Sequence, residues 1–454
     1  MLFIEESSFR DPAGFVFVKE AVTYRQINTV GQEDYDLLMH SGLYDRLVEK
    51  GFLIPHQEIF DNIPVGAYKI IRPQQLDFIS YPYEWSFSML KDAALLTLEI
   101  QKIALEHDMS LKDASAYNVQ FVNGRPMFID TLSFTKNDDC PWPAYRQFCQ
   151  HFLAPLLLMA KRDASLQILL RDYIDGIPLP LAANLLPSAT KFSPKILLHI
   201  HLHARAQTKY ADANSAQRRL PVFTVKQKVM MIDSLISSVH SIRWVPKTTE
   251  WGDYYTFTNY TDESMEHKAS LVETFVKVVN PATCWDMGAN NGFFTRIVSN
   301  FGVKSIAFDI DPVAVEKNYL ETKRLKETNI LPLLCDLLNP SPSIGWNLKE
   351  RKSLTARGRV DLAMGLALIH HLAISNNLPL SKIAEFFAGI ANMVIMEFVP
   401  KTDSKVQILL ATRKDIFPGY NEENFEREFS NYFTVRDKSK IRGSDRVLYL
   451  FEKK

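Results

Sequence analysis

From about Ser264 onward, short runs rich in β-branched and aromatic residues alternate with segments of helical period. They run "LVETFVKVV", "TCWDM", "FFTRIVSNF", "SIAFDI", "PVAVEKNYLETKRLKE", "ILPLLCDL", "RVDLAMGL", "LSKIAEFFAGIA" and "MVIMEF". Few arrangements accommodate that rhythm. Strands separated by helices cannot pair as hairpins, so each connection crosses over, and repeated crossovers give a parallel sheet with helices on both faces. No internal repeat or low-complexity tract competes with this reading.

The chain, at 454 residues, exceeds one ordinary domain. Its first half has a different texture. "DPAG" is a turn signal before "FVFVKEAVTYRQI", and "YKIIRP" and "LDFISYPYEW" read as further strands. "SMLKDAALLTLEIQKIALEHD" has helical periodicity without Gly or Pro. In "VQFVNGRPMFID", Asn123-Gly124 marks a hairpin. A helical stretch follows from Pro141 to about Arg205, interrupted by prolines such as Pro187 and Pro194. The polar "RAQTKYADANSAQRRLP" reads as a linker. The expected organisation is an α+β accessory domain at 1–205, a linker or helical connection at 206–245, and the α/β domain at 246–454.

Lys plus Arg equals Asp plus Glu at 52 each, so no net field draws the chain to nucleic acid or anionic lipid. The basic run "KERKSLTARGR" lacks interleaved aromatics and reads as a solvated loop. "FLAPLLLMA" is too short to span a bilayer, and "MLFIEESSFRD" lacks the basic and apolar regions of a secretion signal. The four cysteines show no CxxC or metal-ligand spacing. A cytoplasmic location, reduced thiols and no metal are therefore expected.

The chemistry concentrates in "CWDMGANNGFF". Asp286 closes the first strand of the α/β domain, and Gly288 and Gly292 then let the backbone pass close to a ligand. Asp286 orders the loop or, through water, accepts from a ligand ammonium. In "SIAFDIDP", Asp309 ends the second strand, where a carboxylate can accept both hydroxyls of a ribose. Asp336, in "LLCDLL", falls at the expected end of the third strand, where it can accept from an adenine amino group. The GxGxxG spacing of dinucleotide sites is absent, so a nucleoside with a zwitterionic tail fits better than a pyrophosphate.

The turn and its two acids resemble the class I S-adenosylmethionine-dependent methyltransferases. "DMGANNGFFT" looks like a DxGANxGxF variant, "FDIDPVAVEKN" is similar to a segment of ribosomal protein L11-type methyltransferases, and "LALIHHL" resembles the fourth-strand exit of small-molecule members. Asn290 stands where the commonest pattern has glycine. The resemblance implies a Rossmann-like fold with S-adenosylmethionine as cofactor. The loop of Asp286, Gly288, Asn290 and Gly292 would hold the methionine portion, with Asp309 on the ribose and Asp336 on the adenine.

In that family the acceptor approaches over strands four and five. His370 and His371 follow the fourth strand, where an imidazole titrating near neutrality takes a proton from an attacking hydroxyl, or else packs under the loop. If the segment is extended, the two rings point apart. Glu397 ends the fifth strand as a substrate or His371 partner, or as a rim carboxylate. Upstream, Tyr254, Tyr260 and Lys268 are lid or substrate candidates, or core residues. The Asn/Asp-Pro-Pro-Tyr signature of amide and base N-methyltransferases is missing.

In "LKDASAYNVQFVNGRPMFID", Asp113, Asn118 and Asp130 occur in the order of a kinase's catalytic aspartate, metal-binding asparagine and second metal-binding aspartate. Residues 60–160 thus resemble the middle of a kinase-like fold. No glycine-rich phosphate loop is present, only Lys69 or Arg25 stands where the phosphate lysine belongs, and "IDTLSF" replaces Asp-Phe-Gly. A degenerate kinase-like scaffold is the favoured reading.

The whole chain resembles a bacterial family of methyltransferases related to the host-specific nodulation protein NoeA. The resemblance rests on "YPYEWSFSMLKDAALLTLEIQ", "LKDASAYNVQF", "FIDTLSF", "IGWNLKERKSL", "LALIHHLAISNNLPLSKIAEF" and "IMEFVPKTDS". It implies a small-molecule or carbohydrate acceptor, methylated on oxygen or nitrogen. The alternatives are a phosphotransferase working through the N-terminal domain and a non-catalytic S-adenosylmethionine-binding protein.

Overall fold

The computed structural model describes residues 2–60, 66–211, 222–246, 261–411 and 414–454. The chain divides into two compact units: Met1–Val245 with Ser343–Arg351, and Pro246–Pro342 with Lys352–Lys454.

The first unit is α+β. Strands β1 (Leu2–Ile4), β2 (Gly14–Lys19), β3 (Val22–Asn28), β4 (His56–Ile59) and β5 (Ala67–Pro73) form an antiparallel sheet ordered β1-β2-β3-β5-β4. "FVFVKEAVTYRQI" folds as two strands because Glu20 and Ala21 both take positive φ, the geometry of a two-residue hairpin turn. "LDFISYPYEW" forms no strand. Its polar groups bond to side chains instead: the Ser80 N–H donates to Gln120 Oε1 (2.9 Å), and the Tyr81 N–H to Glu84 Oε2 (2.8 Å).

The helix Phe87–Glu106 follows, burying Met89, Leu90, Ala93 and Leu98. Strand β6 (Met109–Leu111) comes next, then the hairpin of β7 (Val119–Val122) and β8 (Arg125–Phe128), which turns through Asn123-Gly124. Strand β9 (Phe134–Lys136) returns to pair with β6. Within the stretch expected to be a connection, Val225–Ser241 is an integral helix of this unit. Thr224 and Gln227 box its N-terminus, and Ile232, Leu235 and Val239 are buried.

Ser343–Arg351 also belongs to the first unit, which corrects the solvated-loop expectation for its basic end. Glu350 is buried and accepts from Arg10 Nη2 (2.8 Å) and Nε (3.0 Å). The Arg351 guanidinium lies 4.3 Å from the centre of the Tyr117 ring.

The second unit contains β10 (Thr283–Met287), β11 (Lys304–Asp309), β12 (Ile330–Leu334), β13 (Val360–Gly365), β14 (Ala391–Phe398), β15 (Phe433–Lys440) and β16 (Val447–Lys453). The sheet order is β12-β11-β10-β13-β14-β16-β15. The first five strands are parallel, and β16 runs antiparallel between β14 and β15. Val272 and Phe275 of the helix Asp262–Val279 pack on Cys284, Leu362, Met364 and Ile395 of the sheet. Strand order reverses between β10 and β13, the position at which a ligand crevice opens beyond the carboxyl ends of a parallel sheet. Among the described residues, no helix is long and apolar enough to cross a membrane.

Candidate functional site

The turn after β10 is held by its own backbone. The N–H groups of Gly288 and Ala289 both donate to the Phe308 carbonyl at 2.9 Å, tying the turn to β11. Gly288 and Gly292 sit at φ +82° and +80°. A Cβ at 292 would come within 2.5 Å of the Asn318 side chain, so both the dihedral and the space require glycine. Asn290 adopts φ +52°, which asparagine tolerates better than other non-glycine residues.

Asp309 completes this turn. Its Oδ2 accepts from the Asn290 N–H (2.7 Å) and its Oδ1 from the Asp311 N–H (2.9 Å). Burial nevertheless pushes its carboxyl up to about 6. Asp286 is also buried and accepts from the Thr295 hydroxyl at 2.6 Å, which fastens β10 to the helix Phe293–Ser299. Burial raises this carboxyl to about 7, against the opposing pull of Thr295 and Lys268. β12 ends at Leu334, so Asp336 lies two residues past the strand, half-buried, accepting from the Leu338 N–H (2.9 Å). The Cys335 N–H donates to the Asp309 carbonyl (2.8 Å), so the ends of β11 and β12 adjoin. Three acids and the glycine turn thus share one rim of the sheet. Arg296 braces that rim: it donates to the Asn291 carbonyl (2.6 Å) and pairs with Glu327 (3.0 Å).

On the other side of the crevice the structure corrects several expectations. His370 and His371 lie in a helical segment, because His370 caps the π-turn His371–Ser375. Their ring centroids are 4.1 Å apart rather than on opposite faces. Neither titrates near neutrality. Burial, followed by His371 and Arg446, holds His370 well below the usual imidazole range, and burial and Arg446 hold His371 near 4. His370 Nδ1 is buried without a hydrogen-bond partner.

Glu397 is no rim carboxylate. It is fully buried, with Oε2 accepting from Lys268 Nζ (2.6 Å) and the Ala367 N–H (2.8 Å), and Oε1 at 3.3 Å from Arg446 Nη1. Arg446 Nε in turn donates to Asp403 Oδ2 (2.7 Å). Lys268 is therefore an interior residue, not a lid: its ammonium also lies 4.4 Å from the centre of the Phe294 ring. Burial lowers its pKa, while Glu397 acts to raise it. Tyr254 and Tyr260 lie outside the described residues.

In the first unit, Asp113, Asn118 and Asp130 do come together. Ser133 Oγ donates to Asp130 Oδ2 (2.9 Å) and accepts from Asn118 Nδ2 (3.2 Å), while Asn118 and Gln147 bond to the Asp113 carboxylate. Arg25 bridges Asp130 and Asp11. Among the described residues, no group of three or more His, Cys, Asp or Glu side chains converges to hold a metal.

Sequence reasoning missed Thr295, Arg296, Asp403 and Arg446. Thr295 stood inside a quoted motif, one helical turn past the glycines. No sequence pattern links Arg446 to Glu397, which lies on the neighbouring strand β14.

The strand order, the reversal beside β10 and the carboxylate-bound glycine turn define the class I methyltransferase fold. The chain is 36% identical over 458 residues to Nodulation protein NoeA of Rhizobium meliloti (strain 1021), covering 98% of this chain and 95% of that protein. It belongs to the NoeA family. No protein-family model matches the chain. Among solved structures it is similar to the N-methyltransferase NodS from Bradyrhizobium japonicum WM9, at 12% identity and a TM-score of 0.32 over 42% of this chain and 97% of that one. It is also similar to magnesium protoporphyrin IX methyltransferase (ChlM) from Synechocystis PCC 6803, at 14% identity and a TM-score of 0.30 over 45% of this chain and 93% of that one.

Proposed function

We propose that the second unit is an S-adenosylmethionine-dependent methyltransferase, acting on an oxygen or nitrogen nucleophile of a small-molecule or carbohydrate acceptor. The observation that carries this reading is the Asp309 carboxylate, bound through one oxygen to the glycine turn while Asp336 lies next along the same rim. Besides Asn290, the backbone N–H groups of Asp311 and Ile310 bond to this carboxylate, which offers about four acceptor positions in all. Asp309 suits the ribose hydroxyls, Asp336 an adenine amino group, and the turn from Gly288 to Gly292 the amino-acid tail.

When bound, S-adenosylmethionine supplies an electrophilic methyl group on a sulfonium. What the chain contributes is orientation for in-line displacement and exclusion of water. His370 and His371 are neutral at pH 7, so either can accept a hydrogen bond from the attacking group. A base near 4 takes the proton late, which makes His371 an aligner of the nucleophile first and a proton acceptor second. Glu397 is committed to Lys268, Arg446 and Ala367, and supports the loop that carries the histidines.

Calorimetry with S-adenosylmethionine tests the binding half of this reading. Asp309→Ala removes charge-assisted hydrogen bonds worth about 2–4 kcal/mol, so affinity should fall by at least about thirtyfold. Unchanged affinity refutes the ribose assignment. Tritiated methyl transfer into fractionated lysate separates an enzyme from a non-catalytic binder, which would bind tightly and label nothing.

A further inference from the structure

We infer that the Asp113–Asn118–Asp130 cluster of the first unit is closed to divalent metal by a resident cation of the chain itself, the guanidinium of Arg25. The kinase-like order of these residues implies metal ions held by Asn118 and Asp130. The groups present do not fit that role. Asp130 Oδ1 receives both the Arg25 guanidinium and the Leu132 N–H (2.9 Å), and its Oδ2 receives the Ser133 hydroxyl (2.9 Å). Asn118 presents its Nδ2, a donor, toward Ser133 (3.2 Å). A metal needs oxygen lone pairs here, and both Asp130 oxygens already accept from donors.

Arg25 is fixed where it stands. It sits on β3 with β2 and β5 hydrogen-bonded on either side, and only 14% of its side chain is exposed. Its second terminal nitrogen pairs with Asp11 at 3.2 Å, so one guanidinium ties the turn before β2, the centre of the sheet and the turn after β8. A guanidinium stays charged at any working pH and offers no lone pair, so a divalent cation entering beside it meets repulsion and no ligand. This makes the Asp113–Asn118–Asp130 cluster a metal-free brace rather than the magnesium site of a phosphotransferase.

Manganese(II) binding to the full chain, followed by electron paramagnetic resonance of the free ion, tests the inference. Wild type and Asp130→Asn should give superimposable titrations. Arg25→Gln should gain one saturable site, at least about tenfold tighter than anything in wild type, and lose it again on adding Asp130→Asn. Wild-type binding that disappears in Asp130→Asn overturns the inference. So does an Arg25→Gln protein with the wild-type circular dichroism spectrum and no gained site. Should Arg25→Gln fail to fold, the comparison of wild type with Asp130→Asn decides alone.

Discussion

Replacing Glu397 by Gln should destabilise the second unit by about 3–5 kcal/mol at pH 7. The carboxylate is fully buried and receives Lys268, Arg446 and the Ala367 N–H. Gln keeps the shape and an acceptor oxygen but leaves two buried cations facing one fewer anion. Arg446 retains Asp403, so the burden falls on Lys268. Its escape is to fold uncharged. The gap between its ordinary 10.5 and pH 7, at about 1.4 kcal/mol per pH unit, sets a ceiling near 5 kcal/mol.

That origin has a pH signature. In the variant the folded state carries a neutral Lys268 and the unfolded state a protonated one. The unfolded state then binds more protons, and stability rises as pH rises toward 10.5. Urea unfolding at pH 7, 8 and 9 should therefore show the variant recovering about 1 kcal/mol per pH unit relative to wild type. A loss below about 1 kcal/mol at pH 7, or a deficit that does not shrink with pH, would refute the account of Glu397 as the counter-charge that lets Lys268 be buried.

Three other substitutions probe the rim and the histidines. Gly292→Ala must hold φ +80° and push its Cβ into Asn318, so it should cost about 2–4 kcal/mol and abolish cofactor binding; thermal melts and calorimetry check both. Arg296→Met loses the Asn291 carbonyl and Glu327, and should weaken S-adenosylmethionine about tenfold while lowering stability by only about 1 kcal/mol; equal affinity would show that the brace does not act on the turn. His371 stays neutral in the fold until about pH 4 but protonates near 6.5 when unfolded, so it withdraws up to about 3 kcal/mol as pH falls between those values. His371→Gln should flatten that part of the acid-stability profile, measured by denaturation between pH 7 and 4.

Much of the second unit was legible because its signals are local. "TCWDM", "SIAFDI" and "RVDLAMGL" became β10, β11 and β13, and Asp286 and Asp309 fall inside those strands because the acid ends each apolar run. Even Asp336, displaced two residues beyond β12, kept its place along the rim. The misread elements are those whose partners are remote. "LDFISYPYEW" has strand composition, yet Gln120 and Glu84 take its donors. Histidines after a strand look extended until Ala367 turns at φ +49° and starts a helix. On the antiparallel edge, β15 went unnamed because polar "TVRDKSK" alternates too weakly to announce a strand.

The same distinction explains the ionisation of the site. Asp286, Asp309, His370, His371 and Lys268 are each displaced from their ordinary protonation behaviour, and burial is the first cause in every case. A sequence shows which residue types stand at strand ends. It does not show that Lys268, from a helix preceding the sheet, and Arg446, from the last strand's approach, meet Glu397 beneath the crevice. That meeting adds to the effect of burial: Arg446 further disfavours protonation of both imidazoles, and Lys268 partly offsets the upward push of burial on Asp286. Part of the electrostatics that would align a nucleophile is therefore set by buried residues behind the histidines. Substitutions in this cluster should shift the histidine titrations before they alter the rim that faces the cofactor.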